Sequence, residues 1–209
     1  MTDWYRRKKW TKSDEEEFFA KLGRARKDGR AQYLKIQAIE LMYTDDKKLL
    51  SVAEILLNKM LVEYPDDIFN KGSALHTLGN IYKKFDNYKN AIDYYKQAMD
   101  FEQMFPNVKT QAYLDFSELI IKTNNTEKFI DVENILLERY SGLLFPIEKY
   151  KVNSILSIIN KYKNKLDEAK QYAELAEENA DCETSGLRYH KTLGVVKGKE
   201  TWLEILKQD

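Results

Sequence analysis

The sequence predicts an all-α protein, an array of antiparallel helix pairs with a capping helix at each end. Three observations carry this reading. The three prolines, Pro65, Pro106 and Pro146, stand 41 and 40 residues apart, and each closes a segment that reads as a pair of helices. Proline stops a helix, so a regularly repeated stop implies a repeated unit. Small residues recur on nearly the same beat: Ala38, Gly79, Ser117, Ser157 and Gly194 are separated by 41, 38, 40 and 37 residues. The composition is that of solvated helices, 33% charged with 8 Gly and 3 Pro in 209 residues, which argues against long disordered tracts.

The chain opens on the basic, aromatic run DWYRRKKW. Ser13 and Glu16 have capping-box spacing and start a helix through Phe18, Phe19, Leu22 and Ala25, which Asp28-Gly29 ends,. Residues 1–30 are therefore read as an N-terminal segment with a capping helix, and residues 31–209 as the repeat array in a single structural domain. Helices follow over about 31–43 and 48–63. Trp4, Tyr5 and Trp10 are expected to pack over the first repeat. The acidic pairs Asp45-Asp46 and Asp66-Asp67 fall at turns, where they suit caps and solvent,.

The stretch GSALHTLGNIYKKFDNYKNAIDYYKQAMD reads as helix, Asp86-Asn87 turn, helix. Its Leu75, Leu78, Gly79 and Tyr82 on the first helix, and Ala91, Tyr95 and Ala98 on the second, resemble the tetratricopeptide repeat. Gly79 and Ala91 are small so that two helices approach closely, while Leu78, Tyr82 and Tyr95 fill the space beside them. The resemblance extends in weaker form over roughly residues 31–200. Ser157 precedes Ala169 by 12 residues, as Gly79 precedes Ala91. The unit ending at Pro146 has Phe116 and Ser117, then a blurred second helix around Val132, Ile135 and Leu136. Ala38 and Ala53 serve the first unit. Thr192-Leu193-Gly194 echoes Thr77-Leu78-Gly79 and is read as a half-unit before a C-terminal capping helix with Trp202, Leu203, Ile205 and Leu206. The resemblance implies a right-handed superhelical solenoid of about four repeats.

The resemblance also implies a concave groove lined by the first helix of each pair. Its positions here are Gln32, Lys35 and Ile39; Ser73, His76, Asn80 and Lys83; Gln111, Leu114 and Glu118; Lys151, Ser154 and Ile158; and Arg188 and Lys191. The family's chaperone-tail clamp uses Lys and Asn on the first repeat. Lys35 fits one place, Ile39 stands where Asn is expected, and Glu118 would repel a carboxylate. A folded partner or an amphipathic peptide suits this mixed groove better.

Lys+Arg and Asp+Glu both count 34, so the chain as a whole offers no field for nucleic acid or anionic membrane,. Residues 1–30 depart from this balance, with ten Lys or Arg against six acids, a net +4. Combined with Trp4, Tyr5 and Trp10, this makes a nucleic-acid-associated regulator one alternative. The single Cys182 precludes an intrachain disulfide and a thiolate cage,. His76 and His190 have no further ligand at metal spacing, and no nucleophile elbow, Walker loop or dinucleotide fingerprint occurs,. No cofactor or metal and no catalytic residue is expected. Without a signal-peptide or membrane-spanning run, the expected location is the cytoplasm. The expected role is non-catalytic binding of a protein or peptide partner in the groove, with an immunity or antitoxin-like protein as a narrower alternative. Leu143, Leu144 and Phe145 are read either as core or as self-association residues.

Overall fold

Residues 3–208 are described by a computed structural model in which every regular element is helical. The contacts divide the chain into two compact units at Ala112 and Tyr113.

In the first unit, α1 (Lys12–Arg24) is capped by Thr11 rather than Ser13. The Thr11 hydroxyl accepts from the Asp14 amide at 3.2 Å, and the Asp14 carboxylate accepts from the Thr11 amide at 2.9 Å. Two capping-box registers overlap here, and the one joining Arg7 to Asp14 at 2.5 Å is adopted. The helix stops before extended Ala25, and Arg30 satisfies its last carbonyls by donating to Ala25 and Gly23 at 3.0 and 2.6 Å,. Asp28 and Gly29 thus lie in the first turn of α2 (Lys27–Met42) instead of ending α1.

Helices α3 (Lys47–Glu63), α4 (Ile68–Lys84) and α5 (Tyr88–Met104) complete the unit. Asp46 and Asp67 cap α3 and α4 through their carboxylates, as their turn positions suggested,. Pro65 and Pro106 follow the ends of α3 and α5. Two helix pairs, α2 with α3 and α4 with α5, are packed directly, and α2 also touches α4. Ala38 and Ala53 are fully buried in the first pair. In the second, a methyl group added at Gly79 would lie 2.5 Å from the Tyr95 ring, so the absent side chain sets the interhelix distance,. The core runs from Phe18 and Leu22 through Leu34, Leu57 and Met60 to Leu78 and Ile81.

The N-terminal segment closes one side of this core. Trp4 and Trp10 each meet Phe18 with ring centroids 5.3 Å apart, and Tyr5 meets Tyr33 at 4.7 Å. Buried Gln37 ties the backbone down, accepting from the Arg7 amide at 3.0 Å and donating to the Arg7 carbonyl at 2.7 Å. The aromatic residues are packing residues, as expected.

The second unit contains α6 (Ala112–Lys122), α7 (Phe129–Arg139), α8 (Pro146–Tyr162), α9 (Leu166–Ala180) and α10 (Thr201–Gln208), with short 3-10 turns at Thr126–Lys128 and Tyr140–Gly142. Pro146 opens α8 at its first turn, so this third proline starts a helix where the other two follow one,. Helices α8 and α9 pack directly as a pair, and the Ser157 hydroxyl reaches across to the Ala169 carbonyl at 2.7 Å. Ser157 thus occupies the close-approach position that Gly79 holds in the first unit.

The expected half-unit around Thr192-Leu193-Gly194 is not helical; residues 182–200 are irregular. Gly186 and Gly194 have φ of +77° and +72°, and a side chain at Gly194 would overlap Phe145. The Gly194 carbonyl instead accepts from the Ile147 amide at 2.8 Å, pinning the loop to the start of α8. Helix α10 docks on α8 through fully buried Leu203, while Ile205 and Leu206 remain exposed. Polar contacts supply much of the rest: Tyr150 donates to Glu204 at 2.9 Å, and Lys207 bonds Glu177 and Glu204. Leu143 is buried, whereas Leu144 is exposed. No helix among the described residues is long and apolar enough to cross a membrane.

Candidate partner-binding face

In the first unit, α2 and α4 lie in contact, and each carries one group of expected groove residues. Residues 32, 35 and 39 form one stripe of α2, and residues 73, 76, 80 and 83 one stripe of α4. The N-terminal segment is held by a different side of α2, at Tyr33, Gln37 and Glu40.

The α4 stripe is anchored from below. Tyr95, fully buried on α5, donates its hydroxyl to Asn80 at 2.7 Å. The Asn80 amide lies 3.4 Å from His76 Nε2, the His76 and Tyr95 rings are 5.9 Å apart, and the Lys83 ammonium is 5.9 Å from the Tyr95 ring. One buried phenol therefore holds Asn80, with its ring lying under His76 and Lys83. The helical spacing of the stripe was visible in the sequence, but the Tyr95 hydroxyl, read only as packing, was missed as the group that positions Asn80.

On α2, Lys35 is half-buried, and burial pushes its pKa down despite the partial compensation of Asp67. It has no ion-pair or hydrogen-bond partner among the described residues. The α4 cap residue Asp67 thus acts on the α2 stripe, a link between units of the sequence that spacing alone does not suggest. Ile39 lies beside Lys35 as a half-buried apolar point.

The second unit places its expected residues differently. Leu114, Glu118, Ser154 and Ile158 are buried, and Ser154 Oγ has no hydrogen-bond partner among the described residues. Lys151 bonds both Glu118 and Glu200 at 2.7 Å. Burial raises the Glu118 pKa more than Lys151 lowers it; at Lys151 burial acts downward, but the two carboxylates outweigh it. Glu118 is thus a buried, paired carboxylate rather than a free negative charge. Gln111 lies exposed just before α6, and Arg188 and Lys191 lie exposed in the irregular loop, not on a helix.

The basic N-terminal run is largely engaged. Arg6 bonds Glu40 at 2.8 Å, and Arg7 bonds Asp14 and Glu17, both at 2.5 Å. The bond from Arg7, with a second from Lys21, holds the Glu17 carboxyl below the usual carboxylate range. Lys8 and Lys9 are exposed. Among the described residues no group of three or more His, Cys, Asp and Glu is arranged to hold a metal ion.

The tetratricopeptide repeat family model matches residues 72–103. No curated protein and no solved structure matches the chain. The match covers α5 almost to its end and α4 from Gly72, the pair in which Gly79 and Tyr95 meet. The chain carries a tetratricopeptide repeat at these residues, and such repeats are in general protein-interaction modules.

Proposed function

We propose that this protein is a non-catalytic interaction module that binds a protein or peptide partner on the face formed by α2 and α4. The observation that carries this reading is Lys35, a half-buried ammonium with no hydrogen-bond or ion-pair partner among the described residues, on a helix packed against the one that bears the polar stripe. Burying a cation without a partner costs free energy, and a carboxylate or carbonyl delivered by a partner offsets that cost. Ile39 offers that partner an apolar contact, and Ser73 and Asn80 offer hydrogen bonds.

Binding of nucleic acid through the N-terminus is less favoured, because Arg6 and Arg7 are already paired and the aromatic residues are packed. That reading would require salt-steep binding that is lost with residues 1–10.

The test compares wild type with Lys35→Glu, checked for unchanged helicity, in a pull-down from source-cell lysate. Wild type should retain a stoichiometric protein whose affinity for the variant falls about tenfold or more, as expected for losing a charged hydrogen bond and gaining repulsion. Equal recovery of the same material by both proteins overturns the assignment of this face.

A further inference from the structure

The first unit has an open pocket of about 750 Å³ between α3, α4 and α5. Its α4 residues, Ile68, Lys71 and Leu75, belong to a different helical stripe from Ser73, His76, Asn80 and Lys83, so it faces away from the polar stripe,. Leu61, Leu75, Phe101 and Phe105 give it an apolar lining. At its edge Met104 is 68% exposed, a large apolar side chain left in water where α5 ends.

The charge around this lining is asymmetric. Asp66 and Asp100 both border the pocket and are exposed, and neither has an ion-pair partner among the described residues. Among the described residues Lys71 is the only cation in the lining; it donates to the Pro65 carbonyl at 3.2 Å and sits 5.8 Å from the Phe101 ring centre. Nearby Glu63 is already paired with Lys59. An apolar trough thus carries two free carboxylates and one engaged ammonium.

We propose that this pocket is a second docking surface, which takes a basic amphipathic helix of a partner protein. The volume accommodates several apolar side chains, and anchors at i, i+3, i+4 and i+7 of an incoming helix would lie along Leu61, Leu75 and Met104. Lys or Arg on the flanks of that helix would meet Asp66 and Asp100. An acidic helix would meet the same carboxylates with repulsion, so charge selects the occupant. This inference does not depend on the α2–α4 face, and a protein with both surfaces engages two segments at once.

The probe is a helical peptide of Leu and Lys, about 15 residues long so that it can form a helix, against the same peptide with Glu for Lys. Binding to the full chain is followed by fluorescence anisotropy, with self-association monitored by sedimentation. The Leu/Lys peptide should bind about tenfold or more tighter than the Leu/Glu peptide. Asp66→Lys with Asp100→Lys should reverse that preference, and Met104→Asp should weaken binding of the Leu/Lys peptide, with Lys35→Glu leaving it unchanged. All three substituted pocket residues are exposed, so the fold should tolerate them. The proposal is overturned if the two peptides bind equally or not at all. Loss of peptide binding in Lys35→Glu would place the peptide on the α2–α4 face instead. Self-association that Met104→Asp abolishes would make a second copy of the chain the occupant, and would likewise overturn the proposal.

Discussion

Replacing Tyr95 with alanine should destabilise the first unit by about 3–5 kcal/mol, as expected for removing a fully buried aromatic ring. The ring is 0% exposed and lies against the bare Cα of Gly79. Glycine has no side chain to relax into the void, so the cavity should persist. Asn80 also loses the hydroxyl donor that orders the polar stripe. Tyr95→Phe keeps the packing and should cost only about 1 kcal/mol, the usual worth of one hydrogen bond. Gly79→Ala attacks the same contact from the other side: alanine gains about 1 kcal/mol of helix propensity, yet overpacking typically costs about 1–3 kcal/mol. Combined with Tyr95→Ala, the added methyl enters the vacated space, and the two changes should destabilise by less than their sum. Urea denaturation of the four variants and wild type measures each value. Strict additivity would show that the two residues do not share a contact.

Lys151→Met should cost the second unit about 3–5 kcal/mol, because removing one member of a buried ion pair strands the other. Glu118 is 7% exposed and among the described residues has Lys151 as its one bonded cation, while Glu200 retains a bond from the Trp202 indole. The sign of the pH dependence follows from Glu118. Burial raises its pKa even with Lys151 present, and loss of the cation would raise it further. A carboxyl with a raised folded pKa contributes stability below its unfolded pKa that is lost as pH rises through the folded value. The deficit of Lys151→Met should therefore shrink on acidification through the carboxylate range and be largest near neutrality. A pH-independent deficit, read from urea midpoints, would show that the cost arises from lost packing.

Much of the helical order was legible because one pattern repeats. The small residues Ala38, Gly79, Ser117 and Ser157 are each followed seven positions later by Asp45, Asp86, Asn124 and Asn164. Among the described residues these four are the non-glycine residues with positive φ, from +49° to +58°, and they turn the chain after α2, α4, α6 and α8. Asp and Asn tolerate that conformation better than other side chains. The small-residue beat was read without this second, equally regular signal. Gly194 lacks it: Thr201 stands seven positions on, and the Leu-Gly echo is a loop whose glycine serves a positive φ beside Phe145. A dipeptide match cannot distinguish glycine needed for close helix packing from glycine needed for backbone freedom.

The candidate face was legible as helical stripes and obscure in its energetics. Ser73, His76, Asn80 and Lys83 share a side of α4 because of their spacing, but spacing does not reveal that Tyr95 reaches up to Asn80. Nor does it reveal that Ser154 and Ile158 are buried, since Asn153, Ser154, Ser157 and Asn160 give α8 a polar side that reads as exposed, whereas residues 152–160 are all buried. The pocket was invisible because Leu61, Leu75 and Phe101 sit at ordinary core positions of three separate helices.

The partner's position can be read by placing a photo-crosslinking amino acid at exposed Gln32, on the α2 stripe, and separately at exposed Asp93, on α5. The partner retained in the pull-down should crosslink at position 32 and not at position 93, and Lys35→Glu should abolish the product. Crosslinking at position 93 alone, or a position-32 product that persists in Lys35→Glu at full yield, would rule out the α2–α4 face as the binding surface.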